Sequence, residues 1–312
     1  MKKVSFITAA AMAVSMMGMC SCSFGFFNSA SIGTYENADK YTAGDLETDE
    51  KIKTVDIEWA TGAVDVVTGG SGKVTVTETC KDDLPDEEKV HTWVNDGVLY
   101  VKFCASGERV DSSSEKRVEI TLPEGTELDK LSAEASSADM TIGGISAKSA
   151  YLEASSGDVS FDGDAGKFEA ETSSGNIRFS GEADTISTEA SSGEVFIDQS
   201  GDSKSISAET SSGDIEITAD STAKLGVETS SGDQTIKLGG MPADIGIEAS
   251  SGDIELYLPE DSEFKATIDT SSGDVSYELP LTKTGDESYT CGSANNELSI
   301  ETSSGDVKIR KK

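Results

Sequence analysis

A chain of 312 residues with 25 Lys and Arg against 58 Asp and Glu has a formal net charge of −33, which excludes the basic face that a nucleic-acid binder needs to displace phosphate counterions. Its single histidine, His91, removes multi-histidine metal sites and leaves Ser-His-Asp or Cys-His catalysis to that one residue. With 36% hydrophobic and 6% aromatic residues, 31 Gly and only 5 Pro, the composition is that of a folded, acidic, glycine-rich chain, not of a collagen or a disordered polymer.

Lys2 and Lys3 precede an apolar stretch over residues 4–19, the charged and hydrophobic regions of an export signal that is too short to span a bilayer comfortably. The next residues, Met19-Cys20-Ser21-Cys22-Ser23, resemble a bacterial lipobox, in which a small residue precedes the cysteine that is lipidated. Ser21 makes Cys22 the fitting acceptor, and Cys20, behind the bulkier Met19, is the alternative; ordinary cleavage near Ala30 stays open. Acyl chains at Cys22 anchor a protein to a membrane and leave the rest soluble. Residues 1–21 are therefore read as a lipoprotein signal peptide and residues 22–49 as a polar tether.

Period-two alternation, the signature of strands, begins in Val55-Asp-Ile-Glu-Trp-Ala-Thr-Gly-Ala-Val-Asp-Val66, with Gly62 at a bend. It returns over residues 90–101, bent at Asn95-Asp96-Gly97, and over residues 118–122. Cys80 shares parity with Val74 and Val76 and is expected to point inward. Cys104 opposes Leu99, Val101 and Phe103 and is expected to point outward, so the pattern does not support a Cys80–Cys104 disulfide. Cys291 lies far away, and no C-x-x-C spacing suggests metal or redox chemistry. Gly69-Gly-Ser-Gly-Lys73 lacks the earlier glycine of a phosphate loop, because Val67 occupies that place, and reads as a turn.

From Ser136 onward one unit repeats. Ser-Ser-Gly-Asp or a close variant begins at Ser136, Ser155, Ser173, Ser191, Ser211, Ser230, Ser250, Ser271 and Ser303, in steps of 19, 18, 18, 20, 19, 20, 21 and 32 residues. Apolar slots recur five residues before each copy, at Leu131, Phe168, Ile186, Ile206 and Ile245 among others, and just after it, as at Val159 and Phe161 or Ile215 and Ile217; Gln234 breaks one slot. A unit of about 19 residues cannot bury its own apolar face, but stacked units share a continuous core. The reading is all-β: a single-stranded parallel β-solenoid, as a right-handed β-helix with coils of about 19 residues. Gly157, Gly175, Gly193, Gly213, Gly232, Gly252, Gly273 and Gly305 would serve as its structural turn residues. Ala60 lies 76 residues, four times 19, before Ser136, so residues 50–130 read as degenerate coils and 131–310 as regular ones within a domain spanning 50–310; the 32-residue step implies an insertion near 281–296 before a last coil closes the end.

The Ser-Ser-Gly-Asp-Ile/Val repeats, the Ile-Glu-Trp-Ala-Thr-Gly opening and the lipoprotein leader resemble the bacterial putative-adhesin β-solenoid family, a domain of unknown function found in cell-envelope proteins. The resemblance covers residues 40–310. It implies an extracytoplasmic location at the cell envelope and an adhesin-like or envelope-signalling role, and it supplies no catalytic residue.

Two acid rows follow from the repeat. Glu134, Glu153, Glu171, Glu189, Glu209, Glu228, Glu248, Asp269 and Glu301 oppose the apolar slots and should face solvent. The turn positions Asp139, Asp158, Asp214, Asp233, Asp253, Asp274 and Asp306 form the other row, interrupted by Asn176 and Glu194. Neighbouring carboxylates one strand spacing apart repel by roughly 0.9 kcal/mol in water. Turn amides and mobile counterions could offset that, or Ca²⁺ could bridge the turn row as a weak divalent-cation ladder. Asn176, Arg178, Gln234 and the insertion break the repeat without forming a catalytic constellation, and His91 sits on the face opposite Val90 and Val94 as a solvated residue. The expectation is a non-enzymatic, membrane-anchored envelope lipoprotein with an adhesin-like binding or scaffold surface for a glycan or envelope-protein ligand. The alternatives are an envelope-stress or regulatory module and, third, a polysaccharide-active β-helix enzyme.

Overall fold

The computed structural model describes residues 29–70, 72–293 and 295–312. Among these residues strands dominate, joined by turns and three single-turn 3-10 helices. Two parallel ladders run the length of the molecule. The first holds the strand of each unit that precedes the Ser-Ser-Gly turn, and the second holds the strand that follows it. Ile186 pairs with Phe168 on one side and Ile206 on the other in the first ladder, while Phe179 pairs with Phe161 and Ile197 in the second. The inward positions of both ladders merge into one continuous buried core, in which Phe161, Phe168 and Phe179 pack with ring centroids 4.8–5.8 Å apart.

The turn glycines are fixed by stacking. A Cβ on Gly193 would lie 1.8 Å from the Gly175 carbonyl oxygen, and one on Gly213, Gly232, Gly252 or Gly305 would lie 2.0 Å from the oxygen of the glycine one strand below. No side chain fits that gap, because the glycine backbones themselves stack in van der Waals contact. Thr210 and Thr229 brace the same column by donating their hydroxyls to the carbonyls of Gly193 and Gly213. Gln234 occupies an apolar slot with no exposure; its amide nitrogen donates to the Glu248 carbonyl at 2.7 Å and its Oε1 has no partner.

The sheet is mixed, which corrects the expectation of a wholly parallel solenoid. Antiparallel strands gather at both ends, where they cover ladder edges that would otherwise present unpaired backbone groups. At one end, Val74–Thr79 pairs antiparallel with both Leu46–Thr48 and Arg117–Leu122, and His91–Asn95 pairs antiparallel with both Thr42–Ala43 and Val98–Lys102. Part of the segment read as a tether is thus hydrogen-bonded into this cap. At the other end, Ser288–Cys291 pairs antiparallel with Phe264–Thr270.

The order of units in space differs from their order in the chain. Thr54–Thr68 lies directly against Lys130–Ser156, with Val55 opposite Leu131 and Gly62 opposite Ala138. The 76 residues from Ala60 to Ser136 therefore do not form four stacked coils: the chain leaves Thr54–Thr68 to build the cap and returns to the other side of that strand. Val98–Lys102 and Arg117–Leu122 flank it outside. The far end repeats the device. Asn296–Ser304 inserts between Asp244–Ser251 and Phe264–Thr270, and Val307–Lys311 inserts between Ile254–Leu258 and Val275–Tyr277. The last unit is a wedge one place in from the end, and the preceding unit is terminal.

Cys104 also departs from its expected side. The strand ends at Lys102, a bend follows, and both Phe103 and Cys104 turn inward with no exposure. Burial pushes the Cys104 thiol up to about 11. Cys80 is half-buried with its thiol on the Ser114 carbonyl, and Cys80, Cys104 and Cys291 are all free thiols. Among the described residues no helix is long and apolar enough to cross a membrane.

Candidate binding face

The solvent side of the first ladder brings ten acids into one line. Register pairs Glu58 with Glu134, Glu153 with Glu171, Glu171 with Glu189, Glu189 with Glu209, Glu209 with Glu228, Glu228 with Glu248, Glu248 with Glu301, and Glu301 with Asp269. Glu134 also feels the charge of Glu153, so the row is continuous. Partial burial, and then the neighbouring carboxylates, hold Glu134, Glu171, Glu209 and Glu248 above the ordinary glutamate range. Tyr151 donates its hydroxyl to Glu153 at 2.5 Å, and its own ionisation is pushed far up.

A cation stands at the head of this line. Lys102 is opposite Glu58, and His91 is opposite Lys102. Lys102, whose side chain is 5% exposed, donates to Glu58 at 2.6 Å and to Asp56 at 3.2 Å. Beside them lies a half-buried aromatic group that sequence reasoning did not find. Trp93 stacks on Tyr100 at 5.2 Å, and Tyr41 tilts against both. Tyr35 contacts Tyr41 and donates its hydroxyl to the Cys104 carbonyl. These rings come from three separate stretches of chain, so no local motif announces them.

The second acid row does a different job. The Asp158 amide donates to the Asp139 carboxylate at 3.0 Å, Asn176 to Asp158 at 2.8 Å, and Glu194 to the Asn176 side-chain oxygen at 2.9 Å. The pattern resumes from Asp233 to Asp214, Asp253 to Asp233, Asp306 to Asp253 and Asp274 to Asp306, at 2.8–2.9 Å. A short side chain with an oxygen on its γ-carbon reaches the next turn's amide, and Asn serves as well as Asp. Along these two runs, which break between Glu194 and Asp214, each turn is stapled to the next, and the bonded amide holds Asp253 below the usual carboxylate range. Among the described residues no group of three or more His, Cys, Asp or Glu is arranged to hold a metal ion.

The cap contains one buried charge pair. Lys116, 1% exposed, lies 2.8 Å from Glu78, donates to the carbonyls of Glu88 and Phe103, and sits 4.2 Å from the Phe103 ring centroid and 5.3 Å from that of Trp59. Desolvation lowers the Lys116 pKa. Glu78 also accepts the Val90 amide at 3.1 Å. Lys116 and Glu78 are thus spent on holding the cap together, while the buried Trp59 indole nitrogen beside them has no hydrogen-bond partner among the described residues.

Residues 45–310 match the Toastrack DUF4097 family. The chain belongs to that family. No curated protein matches this Toastrack chain. Solved structures similar to it include a "putative adhesin" from Parabacteroides distasonis, 12% identical, covering 88% of this chain and 97% of that one with a TM-score of 0.45. A "putative lipid binding protein" from the same species is 13% identical, with coverages of 87% and 97% and a TM-score of 0.40. A "putative adhesin" from Bacteroides fragilis is 13% identical over 62% of this chain and 95% of that one, with a TM-score of 0.39. The lipidation candidates Cys22 and Cys20 lie outside the described residues.

Proposed function

We propose that this protein is a non-enzymatic binding protein, exported and held at the bacterial cell envelope by a lipid on Cys22, that presents its acid row as an adhesin-like or scaffold surface. The observation that carries the reading is the row itself: ten acids on successive strands, about 4.8 Å apart, kept in register by the backbone pairing of the first ladder. A fixed polyanionic line selects a partner whose positive charge repeats, or a glycan bridged to it by divalent cations, and it repels anionic headgroups and polymers. Lys102 and the Tyr41, Trp93 and Tyr100 rings at its head add a polar and aromatic contact of the kind that orients a ligand.

The test is capture by the immobilised protein from envelope extracts and from a glycan panel, with and without Ca²⁺, at low and high salt. Capture of glycans or matrix polymers that weakens with salt supports the adhesin reading. Capture of a membrane signalling protein alone would replace it with the regulatory reading, and turnover of a polysaccharide would replace it with the enzymatic one.

A further inference from the structure

The second ladder ends on an uncovered strand. Among the described residues Val275–Tyr277 pairs only with Val307–Lys311, Val275 opposite Val307 and Tyr277 opposite Ile309. Val307 and Ile309 are fully buried, so Val275 and Tyr277 continue the core rows one step beyond the last covered strand. Tyr277 is 41% exposed, the large hydrophobic side chain left in solvent among the described residues. Its ring meets that of Tyr289 edge-on at 5.9 Å, and together they close the end of the core. The Glu278 amide donates to the Ile309 carbonyl, and the Asp274 carbonyl accepts from the Val307 amide. Residues 274, 276 and 278 therefore turn their backbone groups towards the ladder, and Val275 and Tyr277 turn theirs away, to open solvent.

We propose that this edge pairs with the same edge of a second copy of the chain. An antiparallel pairing centred on Ser276 sets Val275 of each copy opposite Tyr277 of the other, the two residues whose amides and carbonyls are free, so the symmetric contact is self-complementary. Both core rows then continue across the joint, and each Tyr277 is covered. Charge singles out a second copy at this end. Residues 131–258 carry 24 acids against 6 bases, whereas residues 259–312 carry 11 against 6, so two copies approach here with less repulsion than along the body. Strands stack along the long axis, which makes the joint tip to tip, with the N-terminal ends farthest apart. On cells it would join copies on facing surfaces, a consequence that rests on the N-terminal anchor proposed above; the pairing itself does not.

Sedimentation equilibrium of the full chain in density-matched detergent tests this. The expected result is a monomer–dimer equilibrium that strengthens as salt screens the acidic bodies. Val275→Pro removes an outward amide and spares the bonds to Val307–Lys311, a substitution an edge strand tolerates, and should weaken the dimer about tenfold or more with the far-ultraviolet circular dichroism unchanged. Tyr277→Lys should do the same through the side chain. A wild-type chain that stays monomeric throughout, or a dimer that survives both substitutions, overturns the proposal.

Discussion

Asp306 donates its amide to the Asp253 carboxylate across 2.9 Å, although 53 residues separate them and Asp274 lies between them in the chain. Asp274 in turn donates to Asp306. The last unit is thus the wedge that joins the terminal unit to the body, since Phe264–Thr270 and Val275–Tyr277 pair with nothing in the body except through it. Deleting residues 296–312 should release residues 264–291, seen as loss of hydrogen-exchange protection there and not in residues 159–238. Retained protection would mean that the terminal unit can stack on Asp244–Ser251 directly.

Glycine pairs test the stacking argument. Gly213→Ala places a methyl 2.0 Å from the Gly193 oxygen, while Gly246→Ala meets nothing within 4 Å. The first should cost about 2–4 kcal/mol in denaturant unfolding. The second should be neutral or stabilising by up to about 1 kcal/mol. Equal effects would contradict the account of the turn column.

Lys116→Ala leaves Glu78 charged and buried without its partner, and should destabilise the protein by about 3–5 kcal/mol. Lys116→Met with Glu78→Gln should recover much of that loss, because neither residue then needs a counter-charge. A Lys116→Ala chain as stable as the parent would place that lysine in water.

The acid row also predicts an unusual pH response. Glu134, Glu171, Glu209 and Glu248 hold protons more tightly in the folded chain than in the unfolded one, where the value is 4.5. Folding is therefore penalised above that value, and stability should rise as pH is lowered from 7 towards 4.5. Asp253, held down by its bonded amide, acts in the opposite sense at lower pH, where protonation removes its contribution. Melting temperatures across this range should climb on acidification, with a shallower slope in Glu171→Gln/Glu209→Gln. A fall from pH 7 downward would contradict the row's proximity.

Much of this was legible in the sequence, for a physical reason. Each unit repeats the same apolar slots and the same turn glycine, so Ile186, Ile206 and Gly193 declare strand, side and bend many times over. The order at the ends was not legible. Every unit is compatible with every other, so nothing local in residues 55–66 says that Leu131 stacks on Val55, and the 76-residue spacing matched four coils by coincidence. Cys104 misled because alternation holds only as far as the strand, which stops at Lys102. Lys116 lies in a charged Glu-Lys-Arg run that carries no local sign of burial, and only the folded cap encloses it. The aromatic group at the head of the acid row needed the pairing of His91–Asn95 with Val98–Lys102 to become visible.

Binding through the acid row is tested most directly by removing its charge without its shape. Glu171, Glu189, Glu209 and Glu228 can be changed together to Gln and capture from envelope extract and glycan panel measured beside the parent. Binding through the row requires capture reduced about tenfold or more, with little remaining salt dependence, and a melting temperature equal to or above the parent's. Undiminished capture by the Gln chain would contradict it.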